Sequence, residues 1–240
     1  MSKAFGYQGS LEDFTLSHSK LNFIRSGQRS RLSLRDLVRR REAEVVDLFH
    51  PFIGDDTVLV DLGSGWGRIS TLLKYKFPQL SVISAEISKA GRLCTEHISD
   101  QFGLGISPIE FNYLDWSVLF DHLKKRHAKN LVFFSNHSAE QVPYLNIQMF
   151  EDFLRLDGKI KFIHIEPVGW QMSGDAEVVK YSQAPERGLG ERGGYNKNLL
   201  LIIQELRRRG LVEIDRMIPN YLAFETIRNS GSLIIHHCRR

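Results

Sequence analysis

An α/β fold built on a parallel sheet is what this chain predicts, and two observations carry the prediction. Apolar, β-branched stretches near Val58, Val82, Ile109, Val132 and Ile163 alternate with helix-like stretches from Thr57 to Glu166. That rhythm belongs to parallel strands covered by helices. The first of these strands also runs through Asp61 into Gly63-Ser64-Gly65-Trp66-Gly67, a glycine-dense turn that opens a helix. At 240 residues the chain can bury one large core, and its length does not require a second domain.

Taken in order, residues 1 to about 31 are polar with scattered apolar positions, so an irregular arm or a short helix is expected there. Ser33 with Asp36 three residues on forms a capping box, and Leu34, Leu37, Val38, Val45 and Leu48 mark one face of the helix that follows. Val58, Leu59 and Val60 suit a strand buried on both faces. From Arg68 onward, Ile69, Leu72 and Leu73 recur at helical spacing. Leu80, Val82 and Ile83 lead a second strand to Glu86, and a helix over roughly Lys89 to Phe102 follows. Ile106, Ile109 and Phe111 lead a third to Tyr113-Leu114-Asp115-Trp116.

The fourth strand, Leu131 to Phe134, delivers Ser135-Asn136-His137-Ser138-Ala139-Glu140, and the fifth, Ile160 to Ile165, delivers Glu166-Pro167. The stretch from Pro167 to Tyr195 has little periodicity and reads as a lid or substrate loop. Leu199, Leu200, Ile202, Ile203 and Leu206 then define an amphipathic helix ended by Arg207 to Arg209 and Gly210. Two strands close the chain, Val212 to about Phe224 and Ser232 to Cys238, with the Asn229-Ser230-Gly231 turn between them.

Composition narrows the function classes. No apolar run approaches the roughly 20 residues of a membrane span, and the N-terminus lacks the apolar centre of a secretory signal, so a cytoplasmic protein is expected. Two cysteines, Cys94 and Cys238, make neither a disulfide framework nor a zinc cluster. The net charge of +4 owes much to arginines between Arg25 and Arg41. Without interleaved aromatics they read as the solvated face of a helix rather than a nucleic-acid surface, although Arg31 and Arg35 can meet a substrate phosphate.

The glycine turn carries the chemistry. Alternating glycines let a ligand lie against main-chain N–H groups at a helix N-terminus. A dinucleotide fingerprint needs a third glycine where Arg68 stands, which counts against NAD, and no Lys-Ser or Lys-Thr pair follows to make a phosphate-gripping loop. Glu86, at the next strand end, suits the two hydroxyls of a ribose. Asp61 with Gly63, Ser64, Gly65 and Gly67 resembles motif I of the class I S-adenosylmethionine-dependent methyltransferases, and the resemblance covers most of the chain from Thr57 onward.

That resemblance implies a doubly wound, mostly parallel seven-stranded Rossmann-like sheet with a C-terminal antiparallel hairpin. It implies S-adenosyl-L-methionine as cofactor, with Asp115 at the position that binds the adenine amino group and Trp116 flanking the purine. Residues 51–240 would form this domain, and 1–50 an arm and helix covering its active-site side. Catalytic groups belong after the fourth and fifth strands. His137 is the candidate base, with Glu140 or Glu166 orienting the imidazole, binding substrate hydroxyls or serving as base themselves. His164 reads as a packed core histidine.

The Asn136-His137-Ser138 run departs from the Pro-Pro-Tyr element of enzymes that methylate exocyclic amines, and no acidic pair marks a magnesium site. Asn136 to Gln141, Glu166-Pro167 and Tyr195-Asn196-Lys197-Asn198 are similar to methyltransferases of small-molecule or polysaccharide sugars. The expected activity is therefore metal-independent O-methylation of a small hydroxylated acceptor such as a sugar. RNA or protein methylation and a non-catalytic cofactor-binding module are the alternatives.

Overall fold

A computed structural model describes residues 21–25, 28–172, 196–224 and 231–239. Its strands are β1 (Leu21–Arg25), β2 (Gln28–Leu32), β3 (Thr57–Leu62), β4 (Ser81–Glu86), β5 (Ser107–Glu110), β6 (Asn130–Asn136), β7 (Lys159–Glu166), β8 (Val212–Phe224) and β9 (Gly231–Cys238). They form one sheet in the order β2-β1-β8-β9-β7-β6-β3-β4-β5. From β7 across to β5 every pairing is parallel, whereas β9 runs antiparallel to both β7 and β8. The expected doubly wound sheet with its closing hairpin is present.

Burial explains the parallel centre. All six residues of β3 are buried, as befits a strand with helices on both faces. Successive side chains alternate between those faces. Val58, Val60 and Leu62 face one core with α4 (Ser117–Lys124), α5 (Ile147–Leu154) and α7 (Leu199–Arg208). Leu59 faces the other, with α1 (Leu34–Phe49) and α2 (Arg68–Lys76). Aromatic stacking fills the first core: the Phe133 ring lies 4.7 Å from Phe153 and 4.8 Å from Phe162, centroid to centroid. The remaining helices are α3 (Lys89–Gln101) and the single turn α6 (Gly169–Met172).

The N-terminal segment corrects the sequence reading. Leu21–Arg25 and Gln28–Leu32 are antiparallel strands rather than an irregular arm or helix, and β1 pairs antiparallel with β8 through Phe23↔Phe224 and Arg25↔Leu222. The pair adds two strands to the expected seven. Its polar outer strand, Gln-Arg-Ser-Arg-Leu, has no apolar alternation to announce it and gains its order from the neighbouring strands.

Half of the expected capping box is present: Ser33 caps α1, its Oγ accepting from the Asp36 N–H at 3.1 Å, while the Asp36 carboxylate accepts from the Ser33 hydroxyl at 2.7 Å instead of from its N–H. Arg35, Arg39 and Arg40 are exposed along α1. Arg41 differs, because burial and the neighbouring Arg68 lower its guanidinium to about 10. Among the described residues no helix is long and apolar enough to cross a membrane.

Candidate active site

The sheet order reverses direction between β3 and β6, where the chain crosses from one half of the fold to the other. Such switch points leave a crevice outside the strands' carboxyl ends. The glycine turn leaves β3 at this point. The N–H groups of Gly63 and Ser64 donate to the Ala85 carbonyl at 2.7 and 3.1 Å, bending the turn towards β4. Gly63, Gly65 and Gly67 all have left-handed backbones, with φ of 69°, 59° and 79°.

Their roles differ. A Cβ on Gly63 would lie 2.5 Å from Ser138 Cβ, and one on Gly67 would lie 2.5 Å from Thr95 Oγ1, so both are packing glycines. A Cβ on Gly65 would meet no protein atom within 4 Å. At Gly65 the main chain itself is therefore open rather than packed.

The predicted acids fall into distinct places. Asp61 is buried beneath the turn, where its Oδ2 accepts from the Ser70 hydroxyl at 2.7 Å and ties β3 to the first turn of α2. Burial raises its carboxyl to about 6, against the pull of Ser70. Between its ordinary 3.8 and about 6 the folded protein keeps a proton that the unfolded chain releases. The associated stability is complete below the ordinary value and is lost as pH rises through about 6. Asp61→Asn is thus expected to gain on the wild type by roughly 2–3 kcal/mol between acid and neutral pH, from ~1.4 kcal/mol per pKa unit. Urea unfolding of both proteins at the two pH values measures it, and a constant difference would reject it.

Glu86 is also buried, and its carboxylate spans the turn: Oε2 accepts from Gly65 N–H and Oε1 from Ser88 N–H, each at 2.8 Å. Two acceptor positions remain on the carboxylate. Ser64 adds a 2.6 Å hydroxyl contact with Ser84. Asp115 is exposed, and its Oδ1 accepts from the Ser117 hydroxyl at 2.7 Å and N–H at 3.2 Å, bonds to the first residue of α4 that lower its pKa. The Trp116 indole N–H donates to Asp152 on α5 at 3.0 Å, tying that ring to a neighbouring helix.

Residues that the sequence reading gave no role complete this end of the sheet. Trp66, Ile87 and Leu114 are exposed by 52, 60 and 66% and stand just past the ends of β3, β4 and β5. Large apolar groups left open beside Gly65 and Glu86 offer a planar ring surfaces to lie against. Their position directly beside the motif residues was the signal available for them. Tyr113 and Ser138, both buried, share a 2.9 Å hydroxyl contact, and each donates to the Leu62 carbonyl, at 3.2 and 2.7 Å. They bind the β5 loop to the ends of β3 and β6.

The proposed catalytic run lies on the other side of the switch point. β6 extends through Ser135 and Asn136, and a single 3-10 turn, Ala139–Gln141, follows before α5. His137 stands between them with φ of 52°, a left-handed backbone rare for a histidine. Its N–H donates to the Ile165 carbonyl at 3.1 Å. Its Nδ1 lies 3.1 Å from Glu140 Oε2. A carboxylate only accepts, so this contact assigns the proton to Nδ1 and leaves Nε2 as a free lone pair. That Nε2 lies beside Gly231, where a Cβ would come within 3.3 Å.

Glu166 is fully buried and turned inward. Its Oε1 accepts from the N–H groups of Ser138 and Ala139, and its Oε2 from that of Glu140, all at 3.2 Å. Burial raises its carboxyl to about 7, with Glu140 adding to the rise and His137 opposing it. Asn196 and Asn198 are staples: Asn196 Oδ1 accepts from the N–H groups of Asn198 and Leu199 at the start of α7, and Asn198 Oδ1 accepts from Leu145 N–H. The lid reading of Pro167 to Tyr195 falls largely on 173–195, outside the described residues.

No protein-family model matches this chain, and neither does any curated protein. Solved structures do. Geranyl diphosphate methyltransferase in complex with GPP and sinefungin aligns with a TM-score of 0.52 at 13% identity over 87% of this chain and 81% of its own. The PH0226 protein of Pyrococcus horikoshii OT3 gives 0.52 at 14% over 84% and 91%. The N-terminal domain of EvdMO1 with SAH bound gives 0.50 at 14% over 83% and 81%. This chain therefore has the Rossmann-like fold of the class I methyltransferases.

Proposed function

We propose that this protein is an S-adenosylmethionine-dependent methyltransferase that modifies a hydroxyl of a small molecule such as a sugar, without a metal ion. One observation carries the reading: a backbone cradle with a carboxylate at its rim and a histidine–carboxylate pair share one edge of the sheet. Gly65 is open to a ligand, Glu86 keeps acceptor positions for ribose hydroxyls, and Ile87 and Leu114 flank the space an adenine would take. Asp115, whose Oδ1 is bound to Ser117, retains its second oxygen for the adenine amino group. The bound cofactor supplies an electrophilic methyl on a sulfonium, so the chain must orient the acceptor and remove its proton.

His137 is the base in this reading. Glu140 holds the imidazole by Nδ1, so Nε2 takes the hydroxyl proton and the resulting imidazolium is stabilised by the carboxylate beside it. Glu166 orients the turn and does not act as base, since its oxygens are committed to main-chain N–H groups. In the same reading the described part of residues 1–50, β1, β2 and α1, covers the active-site side.

Calorimetric titration with S-adenosylmethionine and S-adenosylhomocysteine, with NAD as control, tests the cofactor assignment. The sulfur nucleosides alone are expected to bind. Binding of NAD instead would overturn the assignment, and cofactor binding without turnover over a broad acceptor panel would favour a non-catalytic module. Steeply salt-dependent RNA binding through Arg35, Arg39 and Arg40 would move the acceptor from small molecules to RNA.

A further inference from the structure

The glycine turn and the His137 turn meet at a single peptide. The unit that joins Leu62 to Gly63 carries the chain out of β3, and both of its polar groups are held. Its N–H donates to the Ala85 carbonyl of β4 at 2.7 Å. Its carbonyl accepts from the Ser138 hydroxyl at 2.7 Å, and the Tyr113 hydroxyl adds a longer bond at 3.2 Å. One donor comes from the turn that bears His137 and the other from the loop after β5.

The two turns are also in direct contact. A Cβ on Gly63 would lie 2.5 Å from Ser138 Cβ and 2.9 Å from its Oγ, so only glycine lets them approach this far. Ser138 is buried and directly follows His137 with its left-handed backbone. Its N–H donates to Glu166 and its carbonyl accepts from Gln141 N–H, both at 3.2 Å. Every polar group of Ser138 is therefore engaged, two on its own side of the switch point and the hydroxyl across it.

We propose that Ser138 is a positioning residue: its hydroxyl, seated on the Leu62 carbonyl beside that of Tyr113, fixes the turn bearing the base against the turn bearing the cofactor. The proposal rests on the function proposed above only where turnover is concerned. A base and a methyl donor carried on separate turns lose rate with small errors in spacing. A hydrogen bond to the peptide from which one turn springs removes that freedom.

Amide exchange in the ligand-free full chain tests the joint. Ser138→Ala removes the hydroxyl and leaves every main-chain bond. It is expected to speed exchange by about fivefold on both sides, at Gly63 and Ser64 and at Ser138, Ala139 and Glu140, with Val132 and Ile163 in the sheet unchanged. Ser138→Cys, whose thiol is a weaker donor, should fall between the two proteins. Tyr113→Phe keeps the shorter bond and should have a smaller effect than Ser138→Ala.

Faster exchange confined to Ser138–Glu140 would show that the hydroxyl holds only its own turn and would overturn the proposal. An equal rise at Val132 and Ile163, or a larger effect from Tyr113→Phe, would overturn it too. In turnover, Ser138→Ala should lower kcat by about tenfold or more. Affinity for S-adenosylhomocysteine should stay within about twofold, because the opened cradle remains a minor state. Unchanged kcat would reject the positioning role. Absence of turnover in the wild type would sink the catalytic reading alone, since exchange in the ligand-free protein still decides whether Ser138 joins the turns.

Discussion

His137→Ala is expected to lower kcat by about 10²–10⁴-fold, the range typical of general base catalysis, while S-adenosylhomocysteine binds as before. Separation of the two effects follows from position. His137 stands at the end of β6 and contacts Glu140, whereas the cradle is built from β3, β4 and the Glu86 carboxylate. The main-chain bonds of the turn to Ile165 and Glu166 do not involve the ring, so the turn should change little beyond its loss. Glu140→Gln tests the same pair more gently. An amide can present an N–H to Nδ1 as readily as an oxygen, which removes the preference for the reactive tautomer. Full turnover in His137→Ala with cofactor bound would exclude it as the base.

Glu86→Ala is expected to weaken S-adenosylhomocysteine binding by about 100-fold or more. Two hydrogen bonds from ribose hydroxyls to a carboxylate, each worth roughly 1.5 kcal/mol or more, account for that loss. A second contribution comes from the protein. The carboxylate holds the N–H groups of Gly65 and Ser88 at 2.8 Å, so its removal frees both ends of the cradle. Calorimetry on the variant, with circular dichroism confirming its fold, measures the effect. Unchanged affinity would place the cofactor elsewhere and return the glycine turn to a structural role.

Much of the fold could be read from local pattern. Val58 to Val60, Leu131 to Phe134 and Ile160 to Ile165 are apolar without alternation, which only a doubly covered strand tolerates, and all three are central strands of the sheet. The β1–β2 pair escaped because its order comes from pairing with β8, almost two hundred residues away, and leaves no local mark.

The candidate site divides the same way. Glycine spacing nominated Gly65 and a strand-end acid nominated Glu86, because close main-chain approach and a strand-end carboxylate are demands that fall on residue type at a given position. Asp61 shows the limit. Its residue type is the motif's, yet its carboxylate is spent on Ser70 beneath the turn, which depends on where α2 begins in space.

The sequence by itself determined the alternation of strands and helices, the glycine turn after the first parallel strand, and the polar runs at the ends of the fourth and fifth. Tertiary structure alone decided which groups meet there. Glu166 and Glu140 are both acids near a strand end in the sequence. Only the fold turns one inward onto three N–H groups and the other outward onto His137. The physical reason is that a carboxylate's role depends on its donors and its burial, and here those come from strands far apart in the chain.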